Sequence, residues 1–167
     1  MSKGDVRIYD VGGRSNVAVW KFLTKAGETA INAGEPVMIG QLASVFSAYP
    51  VVLTDGKPLV NADYFLGIAA TTSSHTSSAD GTVDIYLDFP GLVYAAKAKT
   101  AAQFDTQAEV DSAIFYRIPF DLTTSKYTAD LANSTTAGLT VIGGDPATST
   151  VFFVCQDKAS WYHGVLS

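Results

Sequence analysis

The residues able to do chemistry are few and stand apart. The chain has two histidines, His75 and His163, and one cysteine, Cys155. Neither histidine has the His-x-x-x-His or Cys-x-x-Cys spacing that brings two ligands onto one metal from a single element. A site joining both to a carboxylate finds no support in the spacing. Asp80-Gly81-Thr82-Val83-Asp84 has part of the calcium-loop pattern but is better explained as a turn entering a strand. Cys155 lies in residues 151–156 (VFFVCQ), an apolar run where a thiol is a small buried hydrophobe. A nucleophilic Cys155–His163 pair would have to overcome that setting. There is no Gly-x-Ser-x-Gly elbow. Neither Gly12-Gly13-Arg14-Ser15 nor Gly143-Gly144-Asp145 opens a helix between strands or leads to Gly-Lys-Ser/Thr, so neither is a phosphate cradle. Asp84 and Asp88 are four residues apart on an extended segment, about 13 Å by strand rise, too far for a glycosidase pair. The expectation is a protein that is not an enzyme, with no catalytic residue, no metal site, no cofactor and no small-molecule substrate.

The element that must carry Asp84 and Asp88 is the best-specified stretch of the chain, residues 79–99. Asp80-Gly81 makes a turn, and Val83, Ile85, Leu87 and Phe89 alternate with Asp84, Tyr86 and Asp88. Pro90-Gly91 breaks the run before a second extended segment. Pairing Phe89 with Leu92 sets Leu87 opposite Tyr94, Ile85 opposite Ala96 and Val83 opposite Ala98. A period of two over this length predicts a half-buried antiparallel hairpin, with Asp84 and Asp88 on its solvated face opposite Lys97 and Lys99.

Other segments read the same way. Residues 1–16 form an arm in which Val6, Ile8 and Val11 suit a short strand. Residues 17–23 (VAVWKFL) are apolar on both faces, so that strand is either central or covered by a partner. Pro36 suits a strand start, and Asp55-Gly56 is a turn signal. Gly67 inside residues 64–70 (YFLGIAA) predicts a bulge or a close backbone contact. Residues 71–79 (TTSSHTSSA) read as a surface loop, mobile or held by a neighbour. Thr106 and Glu109 have the spacing of a capping box, so one short helix is expected near residues 106–113, with Val110 and Ala113 packed on a sheet. Gly143-Gly144-Asp145-Pro146 reads as a turn. Many short strands with one short helix predict an all-β domain, a mainly antiparallel barrel or sandwich. Its barrel-like part covers about 17–99, and 100–167 is an elaboration within the same domain, 17–167.

The 167 residues suffice for a hydrophobic core, and 47% of them are apolar. Only 16% are charged, against roughly 25% in ordinary domains. Ser, Thr, Ala and Gly take their place, which predicts a surface partly covered by other subunits. A net charge of −5 and a pI near 4.8 argue against binding to nucleic acid or anionic membrane. A single cysteine allows no internal disulfide. No secretory signal or membrane-length apolar run is visible, so synthesis in a cytoplasm is expected.

Several short motifs bear on family. Asn32-Ala33-Gly34-Glu35-Pro36-Val37, followed by Gly40, resembles the "aGe/dpV..G" opening of small β-barrel phage head proteins. Leu66-Gly67-Ile68-Ala69 resembles their "lGia" strand. Residues 80–86 (DGTVDIY) and 90–94 (PGLVY) resemble the strand that closes such barrels. The chain is similar over residues 29–99 to the capsid decoration (cement, auxiliary head) proteins of tailed bacteriophages, and beyond that only in β-rich character. The resemblance implies a virion structural protein on the capsid exterior. It would stabilise the shell by binding the major capsid protein and itself, as a homotrimer, through apolar contacts and an N-terminal arm. On that reading Val6, Ile8 and Tyr9 of the arm and Trp161 and Tyr162 of the tail are the candidate contacts. The alternative is a β-sandwich glycan-binding or head-fibre module of the virion, motivated by the aromatics and the Ser/Thr loop.

Overall fold

A computed structural model describes residues 6–10, 17–42, 45–50, 64–123, 126–133 and 139–155. The Asp55-Gly56 turn, the Gly12-Gly13 stretch, His163, Trp161 and Tyr162 lie outside the described residues. In chain order the elements are β1 (Arg7–Asp10), β2 (Val19–Thr24), β3 (Pro36–Leu42), β4 (Val45–Pro50), β5 (Tyr64–Ala69), β6 (Gly81–Leu87) and β7 (Val93–Lys97). Then come α1 (Gln107–Ala113), β8 (Arg117–Ile118), β9 (Phe120–Thr123), β10 (Lys126–Ala129), β11 (Leu139–Asp145) and β12 (Thr150–Cys155). The fold is all-β, and its strand pairings are antiparallel.

Two five-stranded sheets and one hairpin account for these strands. The N-terminal sheet runs β2-β6-β5-β3-β4, and its two edge strands β2 and β4 approach each other without pairing. It thus curls around a core of its own, made of Ile31, Val37, Leu66, Ala69, Val83, Ile85 and Leu87. The other sheet runs β1-β7-β12-β11-β8. Its inner face, with Tyr94, Ala96, Val141, Val151 and Phe153, meets Val110 and Ala113 of α1 and Phe120, Tyr127 and Ala129 of the β9–β10 hairpin. Aromatic rings organise this second core: Phe65 meets Tyr94 edge-on at 5.4 Å, and Phe120 meets Phe153 edge-on at 5.5 Å. Both distances suit the preferred T-shaped geometry.

The expected hairpin over residues 79–99 does not form. β6 pairs with β2 and β5, whereas β7 pairs with β1 and β12 in the other sheet. Phe89-Pro90-Gly91-Leu92 does turn, with the Leu92 amide donating to the Phe89 carbonyl at 3.2 Å, but the turn passes the chain between sheets. The apolar alternation of each strand is real, and each fills a different core; Phe89 packs against both. Asp84 accordingly stands opposite Lys21, not Lys97. Asp88 is no solvated partner of a lysine: it is 2% exposed and accepts a 2.7 Å hydrogen bond from the Tyr94 hydroxyl.

Two local expectations are met. Glu109 accepts from the Thr106 backbone at 3.0 Å while Thr106 Oγ1 accepts from the Glu109 amide at 3.3 Å, closing the capping box of α1. At Gly67 the β3–β5 register slips, leaving Leu66 as an extra residue of β5. Phe65 and Ile68 thereby enter the second core while Leu66 and Ala69 stay in the first. A Cβ on Gly67 would stand 1.9 Å from the Tyr86 carbonyl oxygen, so only glycine fits. The Gly143-Gly144-Asp145 run lies within β11 at a second bulge, and the turn itself begins at Pro146.

Candidate interaction surface

The chemical candidates are scattered among structural roles. His75 Nε2 lies 3.0 Å from the Glu28 carbonyl. It belongs to a surface loop that is hydrogen-bonded to its own chain. Ser73 Oγ accepts from the Ile31 amide at 3.0 Å, Ser74 Oγ from the Thr82 amide at 2.9 Å, and Thr76 Oγ1 from the Ala79 amide at 3.0 Å. Lys25 clasps Asp80 at 2.7 Å, and this contact with the Ala26 amide holds the Asp80 carboxyl below its ordinary range. The hydroxyls of residues 71–79 are thus used to fasten the loop onto β6 and the 24–35 segment.

The motif at Asn32 is structural too. Glu35 is buried, and its carboxylate accepts from the Asn32 backbone at 2.9 Å and side chain at 3.1 Å, closing a turn ahead of β3. Cys155 is half-buried at the end of β12, packed against the second core. Lys99 reaches Asp130 at 3.1 Å and Asp121 at 3.4 Å, and the buried Asp130 carboxylate raises the lysine above its ordinary range. Among the described residues no group of three His, Cys, Asp and Glu side chains could hold a metal ion, and no helix is long and apolar enough to cross a membrane.

What the fold does build, among the described residues, is an apolar outer face left partly exposed. Strand alternation sends Val151 and Phe153 of β12 inward, so Phe152 and Val154 face out. β1 lies at the sheet edge with a register slip at Tyr9, whose ring stacks on Phe152 at 4.0 Å and remains 56% exposed. On the far side of β12, Ile142 is exposed at the β11 bulge. Beyond it the turn after α1 is sewn to β11, the Phe115 amide donating to the Val141 carbonyl at 2.8 Å and the Val141 amide to the Tyr116 carbonyl at 2.9 Å. Phe115 has φ +69° and is 78% exposed. A bulky residue there carries strain of about 1–3 kcal/mol, and such strain concentrates at functional positions. Nothing in residues 114–120 (IFYRIPF) signals this conformation, because propensity argues against it.

The sequence-named contacts divide accordingly. Tyr9 belongs to the outer face. Val6 does not: it is 3% exposed, buried in the chain's own second core, and Ile8 packs beside it. The described part of the arm is therefore an edge strand of this domain, with Tyr9 its exposed residue. β2 ends its sheet's pairing order, which removes the central-strand option, and Val19, Trp20 and Leu23 are exposed on it. A groove of about 480 Å³ runs between β1 and β6, walled by Val6, Ile8, Val17, Ile68 and Tyr86, with Arg7 the charged residue among the described lining. No protein-family model matches the chain, and no curated protein is significantly similar to it.

Proposed function

We propose that this chain is a virion structural protein that binds the outside of a tailed-phage capsid, through the major capsid protein and copies of itself, and stabilises the shell. The observation that carries the reading is the outer face of the β1-β7-β12-β11-β8 sheet. Tyr9, Phe152 and Val154 give it an apolar centre, and aromatic anchors of this kind supply most of the energy of a protein interface. The low charge of the chain, 16%, fits a surface partly covered in an assembly. The phage-like motifs fall on the bulge at Gly67 and the Glu35 turn, which build the curled N-terminal sheet. Many symmetric copies with modest individual contacts would clamp a lattice by avidity. The test is co-sedimentation of the purified protein with shells of the virus that encodes it. Saturable binding, lost in Tyr9→Asp/Phe152→Asp, supports the reading, and no pelleting at high micromolar protein refutes it.

One observation favours a second reading, a glycan-binding or head-fibre module: Trp20 is 59% exposed on edge strand β2, where its indole could stack on a sugar. A glycan array in which wild type and Trp20→Ala behave alike removes that motive.

A further inference from the structure

We propose that Lys99 and Asp130 condense within the folded chain, losing water to leave an amide cross-link between their side chains, with Asp121 relaying the protons. The inference concerns the chain's own chemistry, goes beyond the capsid reading and needs no shell. Lys99 Nζ lies 3.1 Å from Asp130 Oδ2 and 3.4 Å from Asp121 Oδ1. One amine is therefore in contact with two carboxylates that can take different parts. The Asp130 side chain is only 3% exposed, so its carboxyl is withheld from water, while the lysine stem reaches it from the surface. Asp121 is intermediate between the two.

The backbone fixes the reacting residues in place. Ala98 and Ala129 form a parallel bridge, and the Lys99 amide donates to the Ala129 carbonyl at 2.9 Å. The Asp130 amide donates to the Pro119 carbonyl at 3.0 Å, and Asp121 stands on β9 opposite Thr128 of β10. Ala98, Ala129 and Leu131 are buried members of the second core, so the pair sits at the margin of that core. Groups held in contact by a rigid frame react with effective molarities on the order of 10⁵–10⁸ M, which favours an amide that free amines and acids do not form in water.

The step balances without an added reagent. The pair rests as ions, Asp130 first and Asp121 after it holding the lysine above its ordinary range. Asp121 carries one proton from the ammonium to Asp130 Oδ2, leaving a free amine and a carboxylic acid. The nitrogen lone pair attacks Asp130 Cγ and forms the C–N bond. Charge then gathers on Oδ1, to which the Ala132 amide already donates at 3.2 Å, the place where an oxyanion donor acts. Asp121 takes a second proton from the nitrogen and delivers it to Oδ2, the Cγ–Oδ2 bond breaks, and water leaves. Ammonium and carboxylate become amide and water, nothing is oxidised or reduced, and Asp121 ends as it began. The bond closes a loop around α1, β8, β9 and β10 and ties them to the end of β7.

Intact-mass spectrometry of the purified full chain, followed by tryptic mapping, tests this. Wild type kept folded at neutral pH is expected to become lighter by one water. Trypsin should no longer cut after Lys99, and the peptide carrying Lys99 should be joined to the one carrying Asp130. Lys99→Arg keeps the ion pair with the buried carboxylate, so it should fold, and it should hold its full mass. Asp121→Asn leaves Lys99 and Asp130 in place and should slow the loss of water about a hundredfold, the usual contribution of a positioned proton relay. Imide formation at Asp80-Gly81 sheds the same water, but it leaves Lys99 open to trypsin and occurs equally in Lys99→Arg. Wild type still at full mass after prolonged incubation, equal water loss in Lys99→Arg, or an unchanged rate in Asp121→Asn would each overturn the inference.

Discussion

The hydrogen bond from Tyr94 to Asp88 ties the two sheets together at the point where the chain passes between them, and Tyr94→Phe removes it. Tyr94 is fully buried, Asp88 is 2% exposed, and their oxygens are 2.7 Å apart. The phenylalanine ring keeps the edge contact with Phe65 at 5.4 Å and the stack on Phe153 at 5.9 Å, so packing is conserved. What is lost is a buried bond to a carboxylate, for which the usual range is about 1.5–3 kcal/mol. Taking about 2 kcal/mol, and about 2–4 °C per kcal/mol for a domain of this size, the melting temperature should fall by about 4–8 °C. Asp88→Asn keeps an acceptor for the hydroxyl and should cost less. In a double-mutant cycle the two changes should couple by about 1 kcal/mol or more. Calorimetry or thermal circular dichroism on the four proteins gives the answer. In a β6–β7 hairpin Tyr94 would share a face with Leu87 and point away from Asp88. A Tyr94→Phe change within about 0.5 kcal/mol of wild type, with no coupling, would therefore refute the placement of these strands in separate sheets.

Other consequences are as direct. Gly67→Ala forces a Cβ to within 1.9 Å of the Tyr86 carbonyl oxygen and should cost about 4 kcal/mol or more, seen as lost soluble yield. Gly91→Ala, at φ +89° with open space around it, should cost only the left-handed strain of about 1–2 kcal/mol. Glu109 is held below its ordinary value of 4.5, chiefly by the hydrogen bond from Thr106. Because the folded value is depressed, its contribution is complete above that pH and is lost as pH falls through the lower folded value. Protection of the α1 amides against exchange, relative to their intrinsic rates, should fall in that acid range, and Glu109→Gln should abolish this pH dependence of protection while keeping part of the cap. Tyr9→Ala should weaken shell binding about thirtyfold, as expected for an aromatic anchor of about 2 kcal/mol, with the melting temperature little changed.

Much of the local structure is written plainly in the residues. The capping box at Thr106 and Glu109 and the bulge at Gly67 depend on neighbours in sequence or on the missing Cβ of one residue, and both can be read there. The period of two in residues 83–87 correctly tells which side chains are buried, and it fails at Asp88, which is buried although the alternation puts it on the solvated face. It cannot say against what, because alternation fixes a face and not a partner strand. The apolar residues of β6 and β7 sum neatly as a hairpin, yet they fill two cores. The same gap explains Asp88, whose buried bond to Tyr94 exists only once the sheets are stacked. It explains residues 71–79 as well, since a hydroxyl-rich string looks like a loose loop until its internal acceptors and donors are placed. In the arm, Val6, Ile8 and Tyr9 look alike as apolar residues near a terminus, and the edge strand then separates them into core and surface. The exposed ring at Phe115 was the least legible feature, because its backbone conformation is the one its residue type disfavours.

The central claim, that the outer face of the β1-β7-β12-β11-β8 sheet contacts a capsid, is tested most directly by single-particle imaging of the encoding virus's shells incubated with the purified chain. The account predicts added density at symmetric positions on the exterior, with Tyr9 and Phe152 turned toward the shell. Bare shells at saturating protein, or density joined to the shell through the opposite side of the domain, would contradict it.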